Sequence, residues 1–302
     1  MKILTAKEEL RKVVDGLKSE NKTIGLVPTM GALHRGHLSL VERAVAQNNI
    51  TIVSVFVNPT QFNNPDDLRS YPRTLDADIS LLEKAGCKYV FAPKVEDIYT
   101  SDELGSPFQF DFEGLDKVME GRFRPNHFNG VVQIVGKLFE LASPDRAYFG
   151  EKDFQQLAII RLMTKRYHPS VEIVACPIVR EDSGLAMSSR NMLLSDSQRK
   201  VASHIYAVLA EGRQFVPNTP VAELKECTIA AIEQKPELKV EYFEIVDGNT
   251  LHNIEKWDDA SYVVGCITVY CGGVRLIDNI CYKNIGISCD CCICTFWITF
   301  SH

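Results

Sequence analysis

Residues 24–40 constrain the fold more than any other stretch, because an apolar run, a glycine-punctuated turn and a helical pattern follow one another directly. Ile24–Val27 predicts a buried parallel strand that Pro28 ends. Gly31 and Gly36 would let the backbone approach a ligand closely. The inward face of the following helix is predicted to consist of Leu38, Val41 and Val45. Such a strand, turn and helix direct backbone N–H groups and a helix dipole at one point, which suits a phosphate.

Two histidines stand in this turn. His34 and His37 are three residues apart at the predicted helix start, so both rings face the same side. They could serve the bound anion as hydrogen-bond donors or proton carriers. The alternative is that both are surface histidines of an ordinary loop, but their pairing within a glycine-rich turn favours the functional interpretation.

Composition excludes several classes of protein. The 302 residues carry a formal net charge of −6, which argues against a general nucleic-acid or membrane-surface role. There is no uncharged apolar stretch of about 20 residues and no basic-then-apolar leader, so we predict a cytoplasmic protein. The thiols of Cys87, Cys176 and Cys227 are scattered, as in a reducing compartment, whereas seven of the ten cysteines follow residue 265.

Strand and helix patterns alternate through the first part of the chain, which predicts an α/β fold with a Rossmann-like parallel sheet. The further predicted strands are Ile50–Val57, Tyr89–Ala92, Ala147–Phe149 and Val171–Val179. The predicted helices are 5–20, Leu75–Ala85, Val131–Leu141 and Phe154–Lys165. Residues 100–127 are expected to be irregular and to cover the site.

From about residue 183 the pattern changes to helices followed by antiparallel strands, which predicts a second, smaller α+β domain. Ser195–Gln198 is a capping box that starts a helix ending near Gly212. A helix over 221–234, a strand over Val240–Val246 and a hairpin joining Tyr262–Cys271 to Val274–Ile277 follow. We therefore divide the chain into residues 1–182, residues 183–279 and a cysteine-rich tail over 280–302.

Four turns at the carboxyl ends of the predicted strands hold most of the polar residues: Thr29–His37, Asn58–Phe62, Gly150–Gln156 and Val179–Asn191. Such turns meet in one crevice of an open α/β sheet. Lys152 and Arg190 supply positive charge, and Ser188 and Ser189 supply hydroxyl groups. Together with the histidines they suit a triphosphate, since attack at phosphorus needs positioned cations and donors. The turns contain no cysteine and no nucleophile elbow, which disfavours covalent catalysis.

Other polar residues are less specific. The amides of Gln61 and Gln156 could bind a carboxylate or hydroxyl group, although a loop glutamine is usually only solvated. Asp76, Asp78 and Glu120 are candidate magnesium partners, because ATP chemistry generally uses that ion. The alternative for these three is that they are acids on the surfaces of helices.

Seven blocks closely resemble the bacterial pantothenate synthetase family, in order, over residues 1–279. They are Pro28–His37, Phe56–Phe62, Tyr71–Thr74, His127–Gly130, Phe149–Gln156, Gly184–Asn191 and Arg275–Asn279. The histidine-x-glycine-histidine motif alone would indicate only the wider nucleotidyltransferase superfamily. The other blocks make the resemblance specific.

The resemblance implies an ATP-dependent ligase that joins pantoate to β-alanine through a pantoyl-adenylate, with Mg²⁺ accompanying ATP and a homodimer formed through the larger domain. The implied catalytic residues are His34, His37, Lys152 and Arg190, with His37 as the proton donor. The implied ATP-binding residues are Met30, Gly31, Ala32, Leu33, His34, Arg35, Gly36, His37, Gly150, Glu151, Lys152, Asp153, Val179, Met187, Ser188, Ser189 and Arg190. Gln61 and Gln156 would hold pantoate or β-alanine, and Asn58 and Arg124 match family positions near the site.

The chain departs from the family pattern after Asn279, where members usually end. The overlapping C-x2-C pairs of the tail lack a second pair at zinc-finger distance, so we expect no metal site there and a tail outside the catalytic fold. Three other functions remain as alternatives. They are a nucleotidyltransferase that stops after AMP transfer, an aminoacyl-tRNA synthetase, which the acidic charge disfavours, and a non-catalytic nucleotide sensor.

Overall fold

The computed structural model describes residues 1–105 and 108–285. Six parallel strands form the first sheet, in the order β1-β4-β3-β2-β5-β6. The strands are β1 (Lys2–Leu4), β2 (Ile24–Thr29), β3 (Ile50–Val55), β4 (Tyr89–Phe91), β5 (Arg146–Gly150) and β6 (Glu172–Cys176). The chain winds away from β2 in both directions, so the carboxyl ends of β2 and β5 flank a topological switch point, where ligands bind in such sheets. The predicted α/β fold is confirmed.

Helices cover both faces of this sheet. They are α1 (Lys7–Ser19), α2 (Arg35–Gln47), α3 (Pro65–Ser70), α4 (Leu75–Lys84), α5 (Val95–Ile98), α6 (Ser101–Gly105), α7 (Met119–Phe123), α8 (His127–Ala142) and α9 (Phe154–Tyr167). Leu26 and Ile52 point into the core beneath α1, α8 and α9, whereas the next residues, Val27 and Val53, point into the core beneath α2 and α4. The apolar runs of these strands thus reflect burial on both faces.

Several boundaries differ from the sequence predictions. Strand β2 runs through Pro28 to Thr29, because its pairing with β5 stops at Leu26 and the proline lies where only β3 is a neighbour. Strand β1 was not predicted, since a three-residue edge strand with one buried side chain, Leu4, has no periodic signal. Val45 is exposed, and the inward face of α2 is formed by Leu40, Val41 and Ala44.

The remaining differences concern strand ends and the predicted irregular stretch. Strand β3 ends at Val55 and strand β6 ends at Cys176, each before the predicted boundary. The predicted irregular stretch 100–127 contains the short helices α6 and α7. Apolar residues that follow a strand continue the hydropathy pattern into the turn, so the pattern alone overestimates strand length.

The second sheet has three antiparallel strands in the order β7-β8-β9. They are β7 (Leu238–Asp247), β8 (Tyr262–Cys271) and β9 (Val274–Asn284). The helices of this part are α10 (Asp196–Ala202), α11 (His204–Gly212) and α12 (Val221–Ile232). Short 3-10 helices occur at Pro59–Gln61, Ser189–Leu193, Arg213–Phe215 and Trp257–Asp259. The predicted hairpin is present, and Gly272 turns it with a φ of +57°.

Strand β9 is longer than predicted, because it continues to Asn284 and pairs with β8 up to Tyr262. Residues 280–284, which the sequence assigns to the tail, therefore belong to the second sheet. The overlapping cysteine pairs of the tail lie outside the described residues. Within the described ranges, no helix is long and apolar enough to cross a membrane.

Candidate active site

A large cavity, with a volume of about 220 Å³, lies at the carboxyl ends of β2, β3, β5 and β6. All four predicted turns contribute to its wall. The predicted site residues that line it are Met30, His34, Gly36, His37, Gln61, Gly150, Lys152, Asp153, Gln156, Val179, Met187, Ser188, Ser189 and Arg190. The predicted residues that lie in the same turns without lining the cavity are Gly31, Ala32, Leu33, Arg35 and Glu151.

The two histidines are held by the backbone of their own turn. His34 is the N-cap of α2, and its Nδ1 accepts the Gly36 N–H at 3.1 Å. The Nδ1 of His37 accepts the His34 N–H at 3.4 Å, and the two ring centroids are 4.1 Å apart. Because each Nδ1 accepts a hydrogen bond from a backbone N–H, the hydrogen of each neutral ring must be on Nε2.

Burial keeps both rings uncharged. It lowers the pKa of His34 to about 4, with nearby Lys152 lowering it further. Burial likewise lowers the pKa of His37 to about 3, with His34 and Lys152 adding to the effect. At neutral pH the free site thus offers two neutral imidazole N–H donors beside a lysine cation.

The turn before α2 is held by a buried carboxylate. Gly31 and Ala32 have φ values of +80° and +49°, and the side chain of Asp78 accepts the N–H groups of Ala32 and Leu33 at 3.0 and 2.8 Å. A Cβ on Gly31 would lie 3.0 Å from an oxygen of Asp78. This glycine therefore makes room for the carboxylate that supports the turn rather than for a ligand.

The three acids predicted as candidate magnesium partners have different surroundings in the structure. Asp78 is buried, and each of its carboxylate oxygens accepts a backbone N–H of the turn. It is therefore neither a surface acid nor an available metal ligand. Asp76 is exposed on α4, which is the alternative interpretation. Within residues 1–105 and 108–285, no group of three histidine, cysteine, aspartate or glutamate side chains is arranged for a metal ion.

Glu120 forms a buried ion pair. Its carboxylate accepts hydrogen bonds from Arg275 at 2.7 and 2.8 Å and from the hydroxyl groups of Tyr242 and Thr268 at 2.9 Å each. Burial alone would raise the pKa of Glu120, but Arg275 outweighs it and holds the pKa at about 2. Glu120 therefore links α7 to the second sheet and is not a metal ligand in this arrangement.

The cations and hydroxyl groups predicted to contact phosphate have different surroundings. Lys152 is 3.7 Å from the carboxylate of Asp153, beyond hydrogen-bonding distance. Arg190 donates to both carboxylate oxygens of Asp67, at 3.0 and 3.3 Å. The hydroxyl group of Ser189 donates to the Ala32 carbonyl at 3.0 Å, which joins the turn after β6 to the histidine turn.

Ser188 and the two glutamines complete the wall. The Ser188 hydroxyl accepts the Arg190 N–H at 3.3 Å, so it caps the 3-10 helix Ser189–Leu193. Gln61 is buried and accepts a hydrogen bond from Asn58 at 3.1 Å. Gln156 lines this cavity and also a smaller one beside it. Two neutral amides in the same wall as the cations suit a small hydroxy acid next to a nucleotide.

A sequence model of the family described as pantoate-beta-alanine ligase matches residues 2–281. The chain belongs to the pantoate-beta-alanine ligase family. It is 59% identical to the pantothenate synthetase of Phocaeicola vulgatus, over 94% of this chain and 100% of that protein. Among solved structures it resembles the pantothenate synthetase of Thermus thermophilus, with a TM-score of 0.86 and 40% identity, over 94% of this chain and 100% of that one.

Another solved member of the pantoate-beta-alanine ligase family is the enzyme of Francisella tularensis, described as complexed with beta-gamma ATP and beta-alanine. Its TM-score to this chain is 0.78 at 34% identity, over 93% of this chain and 98% of that one. The resemblance predicted from the seven blocks is thereby confirmed, and the extent of the match agrees with the end of the recognisable blocks near Asn279.

In this member of the pantoate-beta-alanine ligase family, Asn279 supports the turn that contains Lys152, a role that was not predicted from the sequence. The side-chain amide of Asn279 on β9 donates to the carbonyls of Glu151 and Lys152 at 2.8 and 3.0 Å. Its neighbour Asp278 forms a two-fold hydrogen-bonded pair with Arg180 at 2.6 and 2.9 Å. The family block Arg275–Asn279 was the available signal, but no local pattern shows that a second sheet reaches the Lys152 turn.

Proposed function

We propose that this protein joins pantoate to β-alanine at the expense of ATP, with pantoyl-adenylate as a bound intermediate, and that it acts in the supply of pantothenate for coenzyme A. The observation that supports it best is the single cavity that brings His34, His37 and Lys152 together with Gln61 and Gln156. The first group provides donors and charge for a polyphosphate, and the two amides provide neutral partners for a hydroxy acid.

In the first step, a carboxylate oxygen of pantoate attacks the α-phosphorus of ATP. The bond from that phosphorus to the bridging oxygen breaks, and pyrophosphate leaves with the electron pair. Lys152 and Arg190 would stabilise charge on the leaving group, and the N–H groups of His34 and His37 would hold the phosphate oxygens. No covalent bond to the protein is needed.

We propose His37 as the proton donor of this step. In the free site its ring is neutral and its Nε2–H is the available donor, because its Nδ1 accepts the His34 N–H. Bound phosphate would raise the pKa of the ring, since a negative charge favours the protonated form. Protonation at Nδ1 would replace the hydrogen bond from the His34 N–H. The resulting imidazolium could then give its Nε2 proton to the departing pyrophosphate and return to the neutral form.

In the second step, the amine nitrogen of β-alanine attacks the acyl carbon of the adenylate. A carbon–nitrogen bond forms, the carbon–oxygen bond to AMP breaks, and the nitrogen loses a proton. Pantothenate and AMP are the products. The acyl-adenylate would have to stay bound in the cavity between the two steps, because free in water it would be hydrolysed.

We further propose that Mg²⁺ enters as part of the ATP substrate, coordinated by its phosphates, since the described residues form no dedicated metal cluster. Residues 1–182 would bind ATP and pantoate, and residues 183–279 would cover the site. We also propose a cytoplasmic homodimer. The scattered positions of Cys87, Cys176 and Cys227 in the sequence fit a reducing compartment.

AMP release with ATP, pantoate and β-alanine, each omitted in turn, tests this function. We expect AMP to accumulate only with all three, and pantoate alone to support exchange of pyrophosphate into ATP. A nucleotide sensor would bind ATP without forming AMP, and an enzyme that stops after AMP transfer would need no β-alanine. AMP in more than stoichiometric amount without β-alanine would contradict the bound intermediate.

A further inference from the structure

The side chain of Gln61 is oriented by its neighbours in the wall of the large cavity. Gln61 is buried and lines this cavity together with Met30 and Asn58. Its Oε1 accepts a hydrogen bond from Nδ2 of Asn58 at 3.1 Å, and its Nε2 donates to the sulfur of Met30 at 3.2 Å. A thioether sulfur is a weak acceptor, so this NH₂ group remains available to an acceptor atom of a bound molecule.

Asn58 sets the direction of the Gln61 amide. Besides Gln61, the Nδ2 of Asn58 donates to the backbone carbonyl of Gly130 at 3.0 Å. A carbonyl oxygen can only accept, so the NH₂ group of Asn58 has to face Gly130. The reversed amide would set two oxygens against each other at a residue that is only 1% exposed, where a lost hydrogen bond is costly.

Tyr99, which directly follows α5, binds the other end of the Asn58 amide. Its hydroxyl group donates to Oδ1 of Asn58 at 2.8 Å, and the hydroxyl group of Thr60 donates to the same oxygen at 3.1 Å. Burial raises the pKa of Tyr99 to about 12, so the phenol keeps its proton and remains a donor. Tyr99 is buried and does not line the large cavity.

The backbone of Gln61 is fixed separately, by α8. The Nδ1 of His127 lies 2.8 Å from the Gln61 carbonyl, so Nδ1 carries the hydrogen and Nε2 accepts Nη1 of Arg124 at 3.2 Å. A Cβ on Gly130 would lie 2.6 Å from the backbone nitrogen of Gln61, so this close approach of the two segments requires glycine. Because the backbone is held in this way, Tyr99 and Asn58 are left to set the direction of the side chain.

We infer that Tyr99 is a positioning residue for pantoate, which acts through Asn58 to keep the NH₂ group of Gln61 directed at the substrate. This inference rests on the proposed ligase function, with Gln61 as a contact of pantoate. An NH₂ group suits the carboxylate or hydroxyl oxygens of a hydroxy acid, whereas a reversed Gln61 would present an oxygen and repel a carboxylate. Tyr99 would thus favour the first substrate without touching it.

Tyr99→Phe tests the inference in the full-length protein, by initial rates of pantoate-dependent exchange of pyrophosphate into ATP. We expect the KM for pantoate to rise by about 5- to 10-fold and the KM for ATP to stay unchanged, since one of two donors to a buried oxygen is lost. Thr60→Val removes the other donor and should act in the same direction. Tyr270→Phe is the matched control, because it loses a hydroxyl hydrogen bond to Glu241 outside the wall of the large cavity.

A double-mutant cycle distinguishes positioning from a structural role. In a Gln61→Met background no amide is left to orient, so adding Tyr99→Phe should change the KM for pantoate by less than about 2-fold. General loosening of the fold would instead give the same factor in both backgrounds. Thr60→Val provides the same cycle through the second donor.

Three results would overturn the inference. They are an unchanged KM for pantoate in Tyr99→Phe, the same increase with and without Gln61→Met, and an equal increase in the KM for ATP. Failure of the proposed function is a different result, in which wild type itself shows no pantoate-dependent exchange.

Discussion

Asp67 neutralises Arg190, a residue of the large cavity's wall, with both carboxylate oxygens within 3.3 Å of the arginine Nη2. Arg190 is one of the two cations in position to meet a polyphosphate, and in this arrangement it is already paired. The other cation, Lys152, has no carboxylate within hydrogen-bonding distance in the described residues. If Arg190 binds the phosphates as proposed, ATP would compete with Asp67 for this cation.

Removing this competitor should strengthen ATP binding. We expect Asp67→Asn to lower the KM for ATP by about 2- to 5-fold, which corresponds to the small free energy of a partly exposed ion pair. Initial rates at varied ATP and saturating pantoate would measure the change. Asp66→Asn is the matched control, because Asp66 pairs with Arg69 and not with Arg190. A KM that rises in Asp67→Asn would show that Asp67 assists the nucleotide instead.

Asp78→Asn should loosen the turn that precedes α2. An amide can accept one of the two N–H groups of Ala32 and Leu33, but its NH₂ cannot accept the other. We expect a loss of about 1–3 kcal/mol in the free energy of unfolding and weaker ATP binding, measured by urea denaturation and calorimetry. Asp76→Asn, exposed on the same helix, should change neither quantity. Equal stability of the two variants would contradict the role of Asp78.

Asn279→Ala should impair the first step although Asn279 belongs to the second sheet. It would remove both hydrogen bonds to the turn that carries Lys152. We expect the rate of pantoate-dependent pyrophosphate exchange to fall by about 10-fold, because a small displacement of a catalytic group is costly. Asn284→Ala, at the exposed end of the same strand, is the control. An unchanged exchange rate with lowered stability would make Asn279 purely structural.

The buried histidines should make stability depend on pH. The pKa of His34 is lowered to about 4, and those of His37 and His127 to about 3, so below about pH 6.5 the unfolded chain binds protons that the native protein does not. Unfolding free energy should therefore fall with falling pH between about 6.5 and 5, by up to about 1.4 kcal/mol per pH unit for each ring.

Urea denaturation of the ligand-free protein from pH 8 to pH 5 would measure this slope. A variant carrying both His34→Asn and His37→Asn should show a smaller slope below pH 6.5 and the same slope as wild type above pH 7.5. Coincident slopes at all pH values would mean that these two rings are protonated equally in both states.

The parallel sheet could be predicted because its central strands carry apolar residues on both faces, as Leu26 and Val27 illustrate. The convergence of the turns followed from the topology of such sheets. Asp78 and Glu120 could not be interpreted correctly, because a carboxylate on a helix has the same local pattern whether it faces water, a backbone turn or an arginine far along the chain. Their partners, Ala32 and Arg275, are 46 and 155 residues away.

The residues of the candidate site could be predicted from the sequence, but the contacts between them could not. His34 and His37 lie together because they are three positions apart at the start of a helix, which the sequence shows directly. The pairing of Arg190 with Asp67 and the support of Lys152 by Asn279 depend on how separate elements pack. No periodicity or spacing encodes such contacts, so family blocks indicated the residues without indicating their partners.

The hydrogen bonds from Asn279 attach the second sheet to the turn that contains Lys152. The Arg180–Asp278 pair attaches the same strand to the turn after β6. A local opening of the β8–β9 hairpin would withdraw these ties while the parallel sheet stayed folded. The population of molecules able to activate pantoate is then governed by the opening free energy of this smaller unit. Heat inactivation would accordingly precede global unfolding, and ligands that close the two parts together would delay it.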